Sequence, residues 1–145
     1  MKLLVVGVDA SQRAQMVLQT ALDLARKTGG KVEVVRVVSI PVDVPMEAYA
    51  VTPSNLSELL VKEAQSQLNT LTKGIPAELL QGTRVEVGVP WQALCDVAKQ
   101  LQASLLVIGS HGYGIMDRIV GTTAAKVVNH ADCSVMVVRG PALPL

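Results

Sequence analysis

The sequence predicts an α/β fold built on a parallel sheet with helices on both faces. Three observations carry this. Strand-like apolar runs and helical patterns alternate along the chain, with five runs in all. The first run, Leu3 to Val8, is continuously apolar rather than alternating, as a strand buried on both faces must be. A glycine-rich stretch, Ile108 to Thr123, then joins the fourth run to a new helical pattern, the position at which open α/β sheets bind ligands.

The elements follow in order. After Leu3 to Val8, the residues Ala14, Val17, Leu18, Ala21, Leu22 and Ala25 recur at helical spacing. Ser11 is the expected cap of that helix and Gly29-Gly30 its stop. Val32 to Val38 is a β-branched run interrupted by Glu33 and Arg36. Ser39 to Thr52 holds Pro41 and Pro45, shows no period and reads as a loop. Thr52-Pro53 opens a long helix whose apolar stripe includes Leu56, Leu59, Leu60, Ala64, Leu68 and Leu71. Lys73-Gly74-Ile75-Pro76 ends it, and Arg84 to Val87 alternates as a strand with an exposed face would. Gly88-Val89-Pro90 turns into a helix carrying Trp91, Leu94, Cys95, Val97, Ala98 and Leu101. Leu105 to Ile108 is the fourth strand, and Ala124, Val127 and Val128 mark the last helix. Ser134 to Val138 is the fifth strand, which the PALPL tail cannot continue.

With 145 residues, half of them apolar, the chain is expected to fold as one domain, residues 1–145. A net charge of +1 and only three aromatics (Trp91, Tyr49 and Tyr113) argue against nucleic acid as a partner. No stretch approaches the ~18 apolar residues of a membrane span. Asp9, Gln12 and Arg13 break the opening apolar run too early for a signal peptide. Cys95 and Cys133 fit no zinc or CxxC spacing, and reduced structural thiols are expected. The expectation is a soluble, cytoplasmic protein without a membrane partner.

The glycine stretch carries the chemistry. Glycine admits a close approach of backbone N–H groups, and a helix starting at Thr122 or Thr123 would aim unpaired N–H groups at the loop. Strand, glycine loop and helix N-terminus together suit an anion, most often phosphate. The familiar phosphate loops are absent. No glycine is followed by Lys and then Ser or Thr, and Gly112-Tyr113-Gly114 runs on to Asp117 rather than to a third glycine. There is no GxSxG elbow, and His111 and His130 lack triad or metal partners at recognisable spacing. No catalytic or metal-binding residue is therefore nominated.

Four features resemble the universal stress protein family: the opening VVGVDAS, the GVP before the third helix, the loop GSHGYGIMDRIVGTT and the ending HADCSVMVVR. They span nearly the whole chain in the family's order. The resemblance implies a three-layer α/β sandwich of the adenine nucleotide alpha-hydrolase-like type, its five parallel strands in the order 3-2-1-4-5. It also implies a homodimer joined along the last strand, and adenine nucleotide (ATP, or AMP or ADP) with or without Mg²⁺. Many family members bind ATP through a pattern that Gly109, Gly112, Gly121 and Thr122 match here, except that eight residues rather than nine separate Gly112 from Gly121. One residue fewer shortens the reach of a loop by about 3.5 Å.

The resemblance implies roles residue by residue. Gly109 and Gly112 would approach the phosphates, and Gly121, Thr122 and Thr123 would bind them through backbone and hydroxyl; Thr122 reads equally as a plain helix cap. Asp9 faces either the adenine or a metal, or else caps the first helix. Gly7 would lie beside the base, Val37 would offer it backbone, and Ile108 would pack beneath the nucleotide. His111 reads as a solvent-facing loop histidine, Trp91 as core, and Arg36 as reaching either the crevice mouth or an edge ion pair. The leading expectation is a nucleotide-binding dimeric stress or signalling protein with little turnover. The alternatives are a dimerisation protein of the same fold that binds no nucleotide, and a slow hydrolase or autophosphorylating protein using Ser110, Thr122 or Thr123.

Overall fold

Strand β1 (Leu3–Val8) occupies the middle of a five-stranded parallel sheet, in the computed structural model, which describes residues 2–39, 53–110 and 121–140. Its neighbours are β2 (Lys31–Val38) and β4 (Leu105–Gly109), while β3 (Leu80–Val87) and β5 (Ser134–Val138) form the edges, giving the expected order 3-2-1-4-5. The register pairs Leu4 with Val32 on one side and with Leu105 on the other.

Side chains alternate across a strand, so both faces of β1 must be covered. Leu4, Val6 and Val8 pack with Leu18, Ala21 and Ala25 of α1 (Ala14–Thr28) and Leu68 of α2 (Pro53–Thr72). Val5 packs on the opposite face with Leu94 and Val97 of α3 (Pro90–Gln100) and Val127 of α4 (Thr122–His130). This is why the sequence of β1 shows no alternation. Among the described residues no helix is long and apolar enough to cross a membrane.

Several boundaries differ from the sequence reading. Ser11 does not cap α1: the N-cap position is Arg13, without a side-chain cap. Ser11 instead closes a preceding turn, its carbonyl accepting from Ala14 N–H at 3.2 Å and its hydroxyl from Arg13 N–H at 3.2 Å. Gly29 does stop α1, in the left-handed conformation (φ 73°) that favours glycine. Leu59, placed on an apolar stripe by spacing, is 58% exposed, and Val128, inside the last helix as expected, is 52% exposed. Among the described residues Arg36 neither lines the crevice cavity nor forms an ion pair; its guanidinium donates to Gln67 Oε1 of α2 at 2.7 Å. Residues 40–52 of the Ser39–Thr52 loop and the PALPL tail lie outside the described residues.

Strand β3 begins at Leu80, four residues before the expected Arg84. The reason is Gly82, which stands inside the strand and serves as a space. Its register with Glu33 follows an irregularity that passes over Gln81. A Cβ at Gly82 would lie 3.1 Å from a carboxylate oxygen of Glu33, a side chain 6% exposed. Arg84 Nε stands 3.8 Å from the same carboxylate and Arg84 Nη1 3.6 Å from Glu86. Cys95 and Cys133 are free and half-buried against the α3/α4 cluster. Burial first pushes both thiols up, reinforced by Asp96 and then Asp132 at Cys95 and by Asp132 at Cys133, so they stay protonated at neutral pH.

Burial raises the Glu33 carboxyl above its ordinary 4.5, against the lowering effect of Arg84. Between 4.5 and that raised value the folded protein keeps a proton that the unfolded chain has released. Stability therefore falls as pH rises through this window, and at neutral pH the buried charge is a net cost. Glu33→Gln is expected to raise the urea midpoint at pH 7 and to flatten its fall above pH 4.5. An unchanged pH dependence in the variant would contradict this account.

Candidate functional site

The sheet order reverses beside β1: the chain leaves β1 toward β2 and later crosses back to place β4 on the other side. Helices following β1 and β4 diverge from this point and leave a crevice beyond the C-terminal strand ends. The crevice holds a cavity of about 410 Å³. Gly7, Val8 and Asp9 line it from β1 and its end, Val37 from β2, and Ile108, Gly109 and Ser110 from β4 and its end. Pro90 and Leu94 of α3 form another wall, and Gly121, Thr122, Thr123 and Ala124 close it from α4.

Eight of the nine residues nominated from sequence thus stand around one cavity: Gly7, Asp9, Val37, Ile108, Gly109, Gly121, Thr122 and Thr123. Gly112, the ninth, lies outside the described residues, as does His111. The cavity also includes Val8, Pro90, Leu94 and Ala124, which the sequence reading did not nominate, and Ser110, which it named only as a phosphorylation candidate. Pro90 was visible only as a helix start and Leu94 only as a core position.

Gly7 has a packing role. A Cβ there would fall 2.9 Å from both Leu94 methyl carbons and 3.3 Å from Ile108 Cγ2. The missing side chain lets Leu94 settle onto β1 and form the apolar floor of the cavity. Gly109 is similar on the other face, where a Cβ would meet Val17 Cγ2 at 3.3 Å. Asp9 stands at the rim. One of its carboxylate oxygens accepts from the Ser11 N–H at 2.9 Å and the Ser11 hydroxyl at 2.6 Å, fixing the turn into α1. It supports the approach to that helix without capping it.

Helix α4 begins one residue earlier than a Thr122 cap would have it. Gly121 is the N-cap, in extended conformation, with no side chain to satisfy the first turn. Thr122 is the first helical residue, so the plain-cap reading does not hold. Gly121 N–H is itself committed, donating to the Ser110 carbonyl at 2.7 Å. The donors that helix geometry leaves free are those of the next residues, in the cavity wall. The concave space therefore has an apolar floor, one carboxylate among the described residues at its rim, and a helix N-terminus with its partial positive charge.

Trp91 does not line the cavity; its ring lies 4.4 Å from that of His130, centroid to centroid. His130 Nδ1 is 2.7 Å from the Lys126 carbonyl, and Lys126 Nζ stands 5.9 Å above the indole. This cluster joins α3 to α4 and packs against the cavity's outer wall. Among the described residues no three His, Cys, Asp or Glu side chains are grouped to hold a metal ion.

The family model described as the universal stress protein family matches residues 1–139. The chain is 28% identical over 140 residues to universal stress protein A homolog 1 of Coxiella burnetii, covering 94% of this chain and 95% of that protein. It is similar in structure to the universal stress protein UspA from Lactobacillus plantarum, with a TM-score of 0.75, 29% identity and coverage of 95% and 97%. It also shares its fold with the universal stress protein from Archaeoglobus fulgidus solved in complex with dAMP, with a TM-score of 0.64, 24% identity and coverage of 96% and 98%.

The fit between Gly7 and Leu94 is open to test. Gly7→Ala forces the Leu94 methyls toward the cavity, and it is expected to lower the unfolding free energy by about 1 kcal/mol. Methyl NMR would report the Leu94 displacement alongside urea unfolding. Unmoved Leu94 resonances would show that the contact is not the constraint.

Proposed function

The chain belongs to the universal stress protein family, and we propose that it binds an adenine nucleotide in the cavity at the C-terminal strand ends. The observation that carries this is the α4 N-terminus. It opens with a glycine and no side-chain cap directly on the cavity, beside the glycine that ends β4. An uncapped N-terminus favours an anion, and phosphate suits several converging N–H groups. The apolar floor of Leu94 and Ile108 suits a flat base. The dAMP in the related Archaeoglobus fulgidus structure supports the same reading.

In this reading Gly7, Asp9 and Val37 surround the base, with Ile108 beneath it. Gly109, Gly112, Thr122 and Thr123 surround the phosphates, and Gly121 holds the α4 N-terminus in place. ATP, ADP and AMP are all candidates. A metal would accompany the polyphosphates, with Asp9 the nearest carboxylate among the described cavity residues. The shorter glycine spacing does not oppose this. Ser110 and Gly121 are already joined by a hydrogen bond, whereas the ten residues between them could span about 35 Å.

We also propose a homodimer paired along β5. Among the described residues the ladder of β5 is occupied on one side only, by β4. Its sequence, SVMVV, carries no charge. The opposite edge, β3, presents Arg84 and Glu86, and edge charges oppose strand pairing. The protein would then be a nucleotide-responsive stress protein of the cytoplasm, changing partner or assembly with occupancy.

Nucleotide-stripped protein should gain about 2.7 kcal/mol of stability at a nucleotide concentration 100 times Kd. Thermal-shift titrations with AMP and with ATP, each with and without Mg²⁺, would measure this. No shift at millimolar nucleotide would instead favour a dimerisation protein that binds no nucleotide. For the assembly, Val137→Asp places a charge on β5 and is expected to yield monomer by analytical ultracentrifugation. A dimer that persists in that variant would move the interface elsewhere.

A further inference from the structure

Ser110 is 2% exposed, yet it lines the cavity. Its backbone is committed within the fold. The N–H donates to the Val138 carbonyl at 3.0 Å, and the carbonyl accepts from Gly121 N–H at 2.7 Å. The hydroxyl is therefore the one donor the residue retains. Among the described residues this hydroxyl has no hydrogen-bond partner, and no side-chain oxygen there is both sealed from solvent and unpaired. The little exposure it keeps faces the cavity. In the empty protein such a hydroxyl can bond only to solvent in the cavity, and an anionic acceptor on a ligand would replace that water with a stronger, charge-assisted bond.

The α4 N-terminus addresses the same space, because Ser110 and Gly121 are bonded to each other. An acceptor placed between them meets a hydroxyl from the β4 end and free N–H groups from the first turn of α4. Anionic oxygen is the acceptor that both features favour. We propose that the Ser110 hydroxyl donates a hydrogen bond to a phosphate oxygen of the bound nucleotide. The assignment rests on the nucleotide reading above. It makes Ser110 a contact residue whose side chain acts where its backbone cannot.

The test compares wild type and Ser110→Ala in the full chain, with AMP and adenosine as probes. Loss of one hydrogen bond to a charged acceptor is expected to raise the Kd for AMP about tenfold or more by calorimetry. The Kd for adenosine, which lacks the phosphate, should change less than about twofold on the same argument. The urea midpoint of the ligand-free protein should be unchanged or higher, since the variant removes an unpaired hydroxyl. Ser110→Cys keeps the shape with a weaker donor and should lose AMP affinity in the same direction. Equal AMP affinity in wild type and both variants would overturn the proposal. So would a loss of AMP and adenosine affinity in parallel, or a lower midpoint without ligand, since each marks a role in the fold. Wild type that binds neither probe would overturn the nucleotide reading itself, and that result is visible before any variant is made.

Discussion

The burial of β1 on both faces is the constraint on which the rest depends. A central strand with helices above and below must have its neighbours supplied by crossovers, and the chain can make them only by leaving in opposite directions. That divergence opens the crevice, and it opens at the C-terminal end of β1, where Gly7 and Asp9 stand. The apolar run that begins the sequence thus determines both the layered architecture and the location of its cavity. Leu94 shows how closely the two are joined. It is a core residue of α3 and the floor of the cavity at once, and the absent side chain of Gly7 is what allows both.

Much of this was legible in the sequence because burial writes itself as periodicity. Leu3 to Val8 and Leu105 to Ile108 are continuous apolar runs, and the i, i+3, i+4 pattern from Ala14 to Ala25 marks the buried stripe of α1. The start of β3 was not legible, because Gly82 sits inside the strand to accommodate a carboxylate from the neighbouring strand. A contact between residues 33 and 82 leaves no local trace. Leu59 failed for a related reason, since spacing identifies a face of a helix without saying how far the sheet beneath it extends.

The candidate site was legible as a set of positions rather than as chemistry. The strand ends and the start of α4 could be read, and they converge. What could not be read was how the groups divide their labour. Gly121 looked like a donor, but its N–H ties α4 to β4. Thr122 looked like a cap, but the cap position belongs to a residue with no side chain to fill it. Ser110 read as a hydroxyl open to phosphorylation, but only its partners in three dimensions show that its backbone is engaged while its hydroxyl is not. Backbone commitments of this kind depend on which strands lie beside one another, so local sequence carries no sign of them.

The two edges of the sheet differ in kind, and the difference limits stoichiometry. In the proposed dimer, uncharged β5 would extend the sheet once, into a second copy of itself. After that step each end of the doubled sheet presents β3, with Arg84 and Glu86 along it and the Glu33 carboxylate against its glycine. A strand arriving there would have to desolvate charges for its ladder bonds. An isologous contact closes on itself, whereas a sheet with two adhesive edges would propagate into a fibre. In that dimer the charged pair on β3 would terminate growth, and an assembly whose edges would otherwise be open to polymerisation would stay finite.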